Sequence, residues 1–132
     1  MKKYLAQAAF KSSSNTLKYS MFIGRYQFWH KGHRWLIDQR LNEGKNVLIC
    51  IRDVAPDNNN PWTAQEVIHN IGNELDDLIL EGRVKLMILP DIESVNIGRG
   101  VGYDVIEHVP PDEIRDISAT EIRQQMRVPG KL

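Results

Sequence analysis

Three short apolar runs punctuate the chain. Tyr19 to Ile23 ends at Gly24, Val47 to Ile51 is continuously apolar and partly β-branched, and Val84 to Leu89 forms the third. Runs this short and continuous read as strands buried on both faces of a parallel sheet. Between the first two, His33 to Glu43 places Trp35, Leu36, Ile37 and Leu41 at spacings close to helical, with Gly44 where a helix C-cap would stand. After the polar stretch Pro56–Pro61, Thr63-Ala64-Gln65-Glu66 spells a capping box. It opens a helix predicted to run to about Glu81, with Val67, Ile71, Leu75, Leu78 and Ile79 as its apolar stripe. Tyr103 to Val109 reads as a fourth strand and Ser118 to Arg127 as a final helix. Residues 1–18 include Ser12-Ser13-Ser14-Asn15, show no period and read as a tail ahead of a domain over residues 19–132.

Strand, helix, strand, helix, strand is the alternation of an α/β fold. The expected architecture is a Rossmann-like parallel sheet flanked by helices, in a single domain, with right-handed crossovers. Ligands of such sheets sit beyond the carboxyl ends of the strands, which puts the segment Gly24 to Gly32 in the candidate site.

Composition narrows the partners. The 132 residues suffice for one core, and 42% hydrophobic with 26% charged residues is ordinary globular usage. Lysine plus arginine number 17 and aspartate plus glutamate 17, so no basic excess announces a nucleic-acid partner. Cys50 is the only cysteine and lies in an apolar run, which suits a core residue in a reducing, cytoplasmic setting. Met1-Lys2-Lys3 looks like the start of a signal peptide, but Gln7 and Lys11 break any apolar stretch after it. No segment approaches the ~20 apolar residues that span a bilayer, so no membrane partner is expected. A homo-oligomer is compatible with everything in the sequence.

Candidate chemistry concentrates in two places. Gly24-Arg25-Tyr26-Gln27-Phe28-Trp29-His30-Lys31-Gly32-His33 follows a predicted strand and enters a predicted helix. Gly24 and Gly32 allow close backbone approach, and a helix head offers unpaired N–H groups and positive dipole to a phosphate. His30 and His33, three residues apart, can project to one side and donate to phosphate oxygens. The pair also has a spacing zinc accepts, but the chain has four histidines and no cysteine nearby, so no metal site is assigned. Trp29 and Trp35 are most simply core. Near the other end, Ser118 with Glu121 makes a second capping box; Thr120 and Arg123 can reach the same helix head, where an anion would sit.

Together, Gly-Arg-x-Gln-x-x-His-x-Gly-His and Ile-Ser-x-Thr-x-Ile-Arg resemble the nucleotidyltransferase superfamily with HxGH and ISxTxIR motifs. The likeness is closest to the archaeal-type nicotinamide mononucleotide (NMN) adenylyltransferases. Leu48-Ile49-Cys50-Ile51, Asn60-Pro61-Trp62-Thr63-Ala64 and Pro90-Asp91-Ile92-Glu93 look like further segments of that group, so the resemblance spans roughly residues 19–127. It implies the HIGH-type nucleotidyltransferase fold and transfer of a nucleoside monophosphate, AMP first, from a nucleoside triphosphate to a phosphate-bearing acceptor such as NMN. By position, the resemblance puts His30, His33 and Arg123 in catalysis. Gly24, Arg25, Tyr26, Gly32, Ser118 and Thr120 would bind the nucleotide, and Mg²⁺ is implied as cofactor.

The likeness is uneven. Phe28 and Trp29 stand where the family usually has Pro and Phe, and Ser94–Gly102 replaces a longer insert that serves the acceptor. Within it, Gly98-Arg99-Gly100-Val101-Gly102 is either an anion loop with Arg99 facing the acceptor's phosphate or a plain glycine-rich connection. Arg52 either enters the acceptor site or belongs to a solvated loop. Glu74, Asp76 and Asp77 are most simply a solvated helix face. Three alternatives stay open: a cytidylyltransferase acting on a phosphorylated alcohol, a non-catalytic nucleotide-binding module, and, last, a tRNA synthetase fragment, which should carry a Lys-Met-Ser-Lys-Ser-like loop absent here.

Overall fold

The structure, a computed structural model, describes residues 17–100, 102–112 and 114. Its elements are β1 (Tyr19–Gly24), α1 (Lys31–Leu41), β2 (Asn46–Asp53), α2 (Ala64–Glu74), α3 (Asp76–Leu80) and β3 (Val84–Pro90). Among the described residues the strands form one parallel sheet in the order β1-β2-β3. This is the expected α/β architecture, a parallel sheet flanked by helices.

Register explains which side chains form the core. Phe22, Ile49 and Leu86 stand in one cross-strand row, and Gly24, Ile51 and Ile88 in another on the same face. That face meets Ile37 and Leu41 of α1 and Val67, Ile68 and Ile71 of α2, which complete a single buried cluster. Ile37, Ile49, Ile51 and Ile71 are all within 1% of full burial, each contributing about 1.5–3 kcal/mol of apolar transfer. The opposite face carries Met21, Leu48 and Lys85 in one row and Ile23, Cys50 and Met87 in the next. Met21 and Met87 are exposed there. Burial on both faces therefore holds for Cys50 but not for the whole sheet. Among the described residues no helix is long and apolar enough to cross a membrane.

Four expectations shift. Helix α1 begins at Lys31 rather than His33, because His30 itself caps it, and it ends at Leu41 with Asn42 as C-cap. Gly44 (φ +79°) makes the turn that follows. The single helix expected to Glu81 is broken at Leu75, whose φ of −110° and ψ of 22° leave helical space. Its buried stripe, Val67, Ile71, Leu75 and Ile79, advances by four at each step. Each such step overshoots a full turn by about 40°, so a straight helix would swing Ile79 off the core by about 120°. The break keeps both Leu75 and Ile79 inside.

Tyr103–Val109 forms no strand. Tyr103, Val105, Ile106 and Val109 are all exposed, so the apolar run has no ladder and no buried face. Only His108 turns inward, its ring 6.1 Å from that of Phe22. The expected tail over residues 1–16 and the expected helix over Ser118–Arg127 lie outside the described residues.

Candidate nucleotide site

Because the strands are parallel and in close register, their carboxyl ends open on one edge. Three loops leave that edge: residues 25–30 after β1, 54–63 after β2, and the segment after β3. The first feeds directly into α1 and carries both histidines.

Histidine is an unusual N-cap, and here two of them form a reciprocal capping box. His30 Nδ1 accepts the Gly32 N–H at 3.0 Å, and His33 Nδ1 accepts the His30 N–H at 3.4 Å. A ring nitrogen that accepts carries no proton, so in this arrangement the N–H of each imidazole lies on Nε2. The rings stack with centroids 3.9 Å apart. His33 is further enclosed by Tyr26 and Trp29, each at 5.2 Å. Burial, and then the His30 ring beside it, push the His33 pKa down to about 3, against the opposing pull of a hydrogen bond to the Phe28 backbone. No acidic residue occupies the first turn of α1. The head of this helix therefore presents the positive end of its dipole with no carboxylate in its first turn, an arrangement suited to an anion.

Beneath it the chain is tightly built. Tyr26 adopts a positive φ of 50° and buries its ring against the core, 8% exposed. A Cβ added at Gly24 would stand 3.0–3.3 Å from that ring, so close packing, not backbone freedom, calls for glycine there. Burial raises the Tyr26 phenol beyond its ordinary range, so it stays protonated. Tyr26, which the resemblance puts among the nucleotide-binding residues, packs its ring against those of His33 and Trp29.

Arg25 extends from the same loop to the one after β2. Its Nη2 donates to the Ala55 carbonyl at 3.3 Å, and Nη1 lies 3.7 Å from Asp57. Asp57 gathers Asn60 and Asn59: its Oδ1 accepts from both backbone N–H groups and from the Asn60 amide. The side-chain bond from Asn60 is the largest of the effects that hold its carboxyl below the usual carboxylate range. Arg52, at the end of β2, donates to Asp91 at 2.8 Å and to the Ile92 carbonyl. It is thus a half-buried tie between the end of β2 and the segment after β3. Arg99 is exposed in the loop after β3, beside Gly100 with its φ of +67°.

Sequence reasoning gave Gln27 no role. Its Nε2 donates to the Trp62 carbonyl at 2.9 Å, and its Oε1 accepts the Trp62 N–H at 2.8 Å. The Phe28 and Trp62 rings meet at 4.5 Å. A carboxamide bonded to a backbone 35 residues away leaves no local pattern from which it could be read. Asp57 was missed too: its bonds to Asn59 and Asn60 are a local turn, and among the described residues only its ion pair with Arg25 ties that turn to the loop after β1.

The structure brings together Gly24, Arg25, Tyr26, His30, Gly32 and His33 in one strand–loop–helix unit, with Arg52 at the neighbouring strand end. Ser118, Thr120 and Arg123 lie outside the described residues. Among the described residues no group of three or more His, Cys, Asp or Glu side chains could hold a metal ion. These residues do not fit a protein-borne Mg²⁺ site; an ion serving a triphosphate would draw its oxygens from phosphate and water.

No protein-family model matches the chain. It is 30% identical to a protein of Thermococcus onnurineus (strain NA1) named nicotinamide-nucleotide adenylyltransferase, over an alignment of 137 residues that covers 83% of this chain and 72% of that one. The aligned length exceeds the 132 residues of the chain, so the alignment opens gaps on this side. An identity of 30% sustained across most of both proteins joins the paired histidines and the parallel sheet in one assignment: the chain belongs to the nicotinamide-nucleotide adenylyltransferase family of nucleotidyltransferases.

Proposed function

We propose that this chain transfers AMP from ATP to a phosphate-bearing acceptor, with NMN as the first candidate, and releases pyrophosphate. The observation that carries the reading is the reciprocal histidine cap at the head of α1, in a chain whose relative is named for this activity. An acceptor phosphate oxygen attacks the α-phosphorus of ATP; the bond from that phosphorus to the oxygen bridging to the β-phosphate breaks, and pyrophosphate carries away the electron pair. The attacking oxygen is already anionic, so no strong general base is needed. Catalysis then rests on alignment and on donors aimed at the charge spreading over the phosphorus centre.

In this reading His30 donates through Nε2–H to the reacting phosphate, and His33 holds the His30 backbone in place while contributing to the same pocket. Gly24, Gly32 and Arg25 line the nucleotide site beside the Tyr26 ring. Ser118, Thr120 and Arg123 hold the outer phosphates, and Arg52 and Arg99 serve the acceptor. Mg²⁺, which the resemblance implies, would accompany the triphosphate, and no residue of the chain is assigned to hold it. The work is that of a cytoplasmic small-molecule enzyme, without nucleic acid or membrane.

A screen of pyrophosphate release tests it: ATP and CTP, each with Mg²⁺, against NMN, phosphopantetheine, glycerol-3-phosphate and phosphocholine. ATP with NMN should give the highest turnover. Preference for CTP with a phosphorylated alcohol would replace the reading by a cytidylyltransferase. Triphosphate binding without pyrophosphate release from any pair would leave a nucleotide-binding module.

A further inference from the structure

The loop 25–30 reaches its conformation against local preference. Tyr26 is a bulky residue at a positive φ of 50°, a backbone state that persists only where the surroundings over-determine it. From below, the ring of Tyr26 is fixed in the core. From the side, Gln27 makes two well-formed hydrogen bonds to a single residue, one to each backbone group of Trp62. Trp62 is a firm partner. It packs against the core cluster and directly precedes Thr63, the N-cap of α2, where Thr63 and Glu66 satisfy each other's N–H groups. Phe28 adds a ring contact with Trp62 on the next residue of the loop.

Gln27 therefore couples the heads of two helices. Three residues after it, the chain reaches His30, whose position is set by the end of this same loop. We propose that Gln27 is a positioning residue, its carboxamide clamping the loop 25–30 to the head of α2 and so setting where the His30 imidazole stands. The functional half of this inference rests on the reading of His30 as the donor in nucleotidyl transfer. The clamp acts through Trp62 and touches no reacting atom. A misplacement of about 1 Å in such a site costs on the order of 10²-fold in rate.

The test compares Gln27→Ala, Gln27→Glu and Arg83→Ala in the full chain. Arg83 bonds to Asn46, Leu41 and Lys45 at the opposite end of the sheet and reports destabilisation alone. Gln27→Ala should lower kcat by about 10–100-fold with the KM for ATP within about threefold, the signature of an interaction expressed in the transition state. Gln27→Glu keeps an acceptor for the Trp62 N–H but turns an unprotonated oxygen on the Trp62 carbonyl, so it should lose kcat as well, and full activity in it would count against the clamp. Arg83→Ala should hold kcat within about twofold even where its loss of stability is larger. A second readout needs no substrate: amide hydrogen exchange at His30, Gly32 and Trp62 should accelerate by about tenfold or more in Gln27→Ala and not in Arg83→Ala. Unchanged exchange at His30 and Gly32, or a kcat loss matched by Arg83→Ala, would overturn the clamp. If the wild-type protein transfers no nucleotide, the proposed function fails, and the exchange measurement alone still decides whether Gln27 positions the loop.

Discussion

His30 and His33 cap one another: the Nδ1 of His33 receives the backbone N–H of His30, while the Nδ1 of His30 receives that of Gly32, and the two rings lie 3.9 Å apart. One arrangement thus orders the helix head and fixes the tautomer of the rings that an anion would meet. Removing His30 should expose both roles. His30→Ala is expected to lower kcat by about 10²–10³, the usual scale for losing one donor to a charged transition state. It should cost about 0.5–2 kcal/mol of stability through the lost cap while leaving a cooperative fold. Steady-state kinetics and urea unfolding measure the two effects separately, and near-full activity would remove His30 from its assigned role.

The buried neutral state of His33 makes stability depend on pH. Its pKa falls from 6.5 in the unfolded chain to about 3 in the fold. Above 6.5 neither state binds the proton; below it only the unfolded chain does, so stability falls as pH is lowered through the window from 6.5 towards 3. The slope approaches about 1.4 kcal/mol per pH unit from this one group. Urea midpoints between about pH 6.5 and 5, before most carboxylates titrate, should therefore decline more steeply in the wild type than in His33→Asn. Parallel slopes would mean that His33 takes up its proton in the folded state.

Gly24→Ala tests the packing beneath the site. The added methyl meets three atoms of the Tyr26 ring at 3.0–3.3 Å, and the ring is buried with little room to retreat. The expected cost is about 1–3 kcal/mol. Combining the change with Tyr26→Leu should give a destabilisation smaller than the sum of the two single changes, because the clash is removed with the ring. Thermal unfolding of the four proteins closes the cycle.

Two substitutions calibrate the fold away from the chemistry. Ile71→Ala deletes a side chain with no exposure in the middle of the core and should cost about 2–5 kcal/mol. Thr63→Ala breaks the capping box of α2 for about 1 kcal/mol. Denaturant unfolding should rank them in that order.

The strands were legible because their core-face positions are apolar and the opposite face, though partly open, carries Met21, Ile23, Leu48, Cys50 and Met87, which makes the runs nearly continuous: β1, β2 and β3 start and end within two residues of the runs read from the sequence. The start of α1 was not, because an imidazole caps it, and histidine is no standard signal for a helix beginning. Leu75 shows a second limit. The apolar stripe of the helix was right, yet stepping by four is compatible with either a straight or a broken helix, and only the core's position chooses. Tyr103–Val109 is the third case: its apolar pattern was strand-like, but pairing needs an edge that composition cannot supply. In the site, the motif residues 24–33 were found by type and spacing, whereas Gln27 and Trp62 are joined through backbone groups distant in sequence and carry no such signature.

The fate of the α-phosphate tests the central claim most directly. With ATP labelled at the α-phosphorus, Mg²⁺ and NMN, the label should appear in a product joined to the acceptor, with unlabelled pyrophosphate formed in equal amount, and both should fall together in His30→Ala. Label recovered only in ATP, ADP or free AMP, with none on any phosphate-bearing acceptor, would contradict nucleotidyl transfer by this chain.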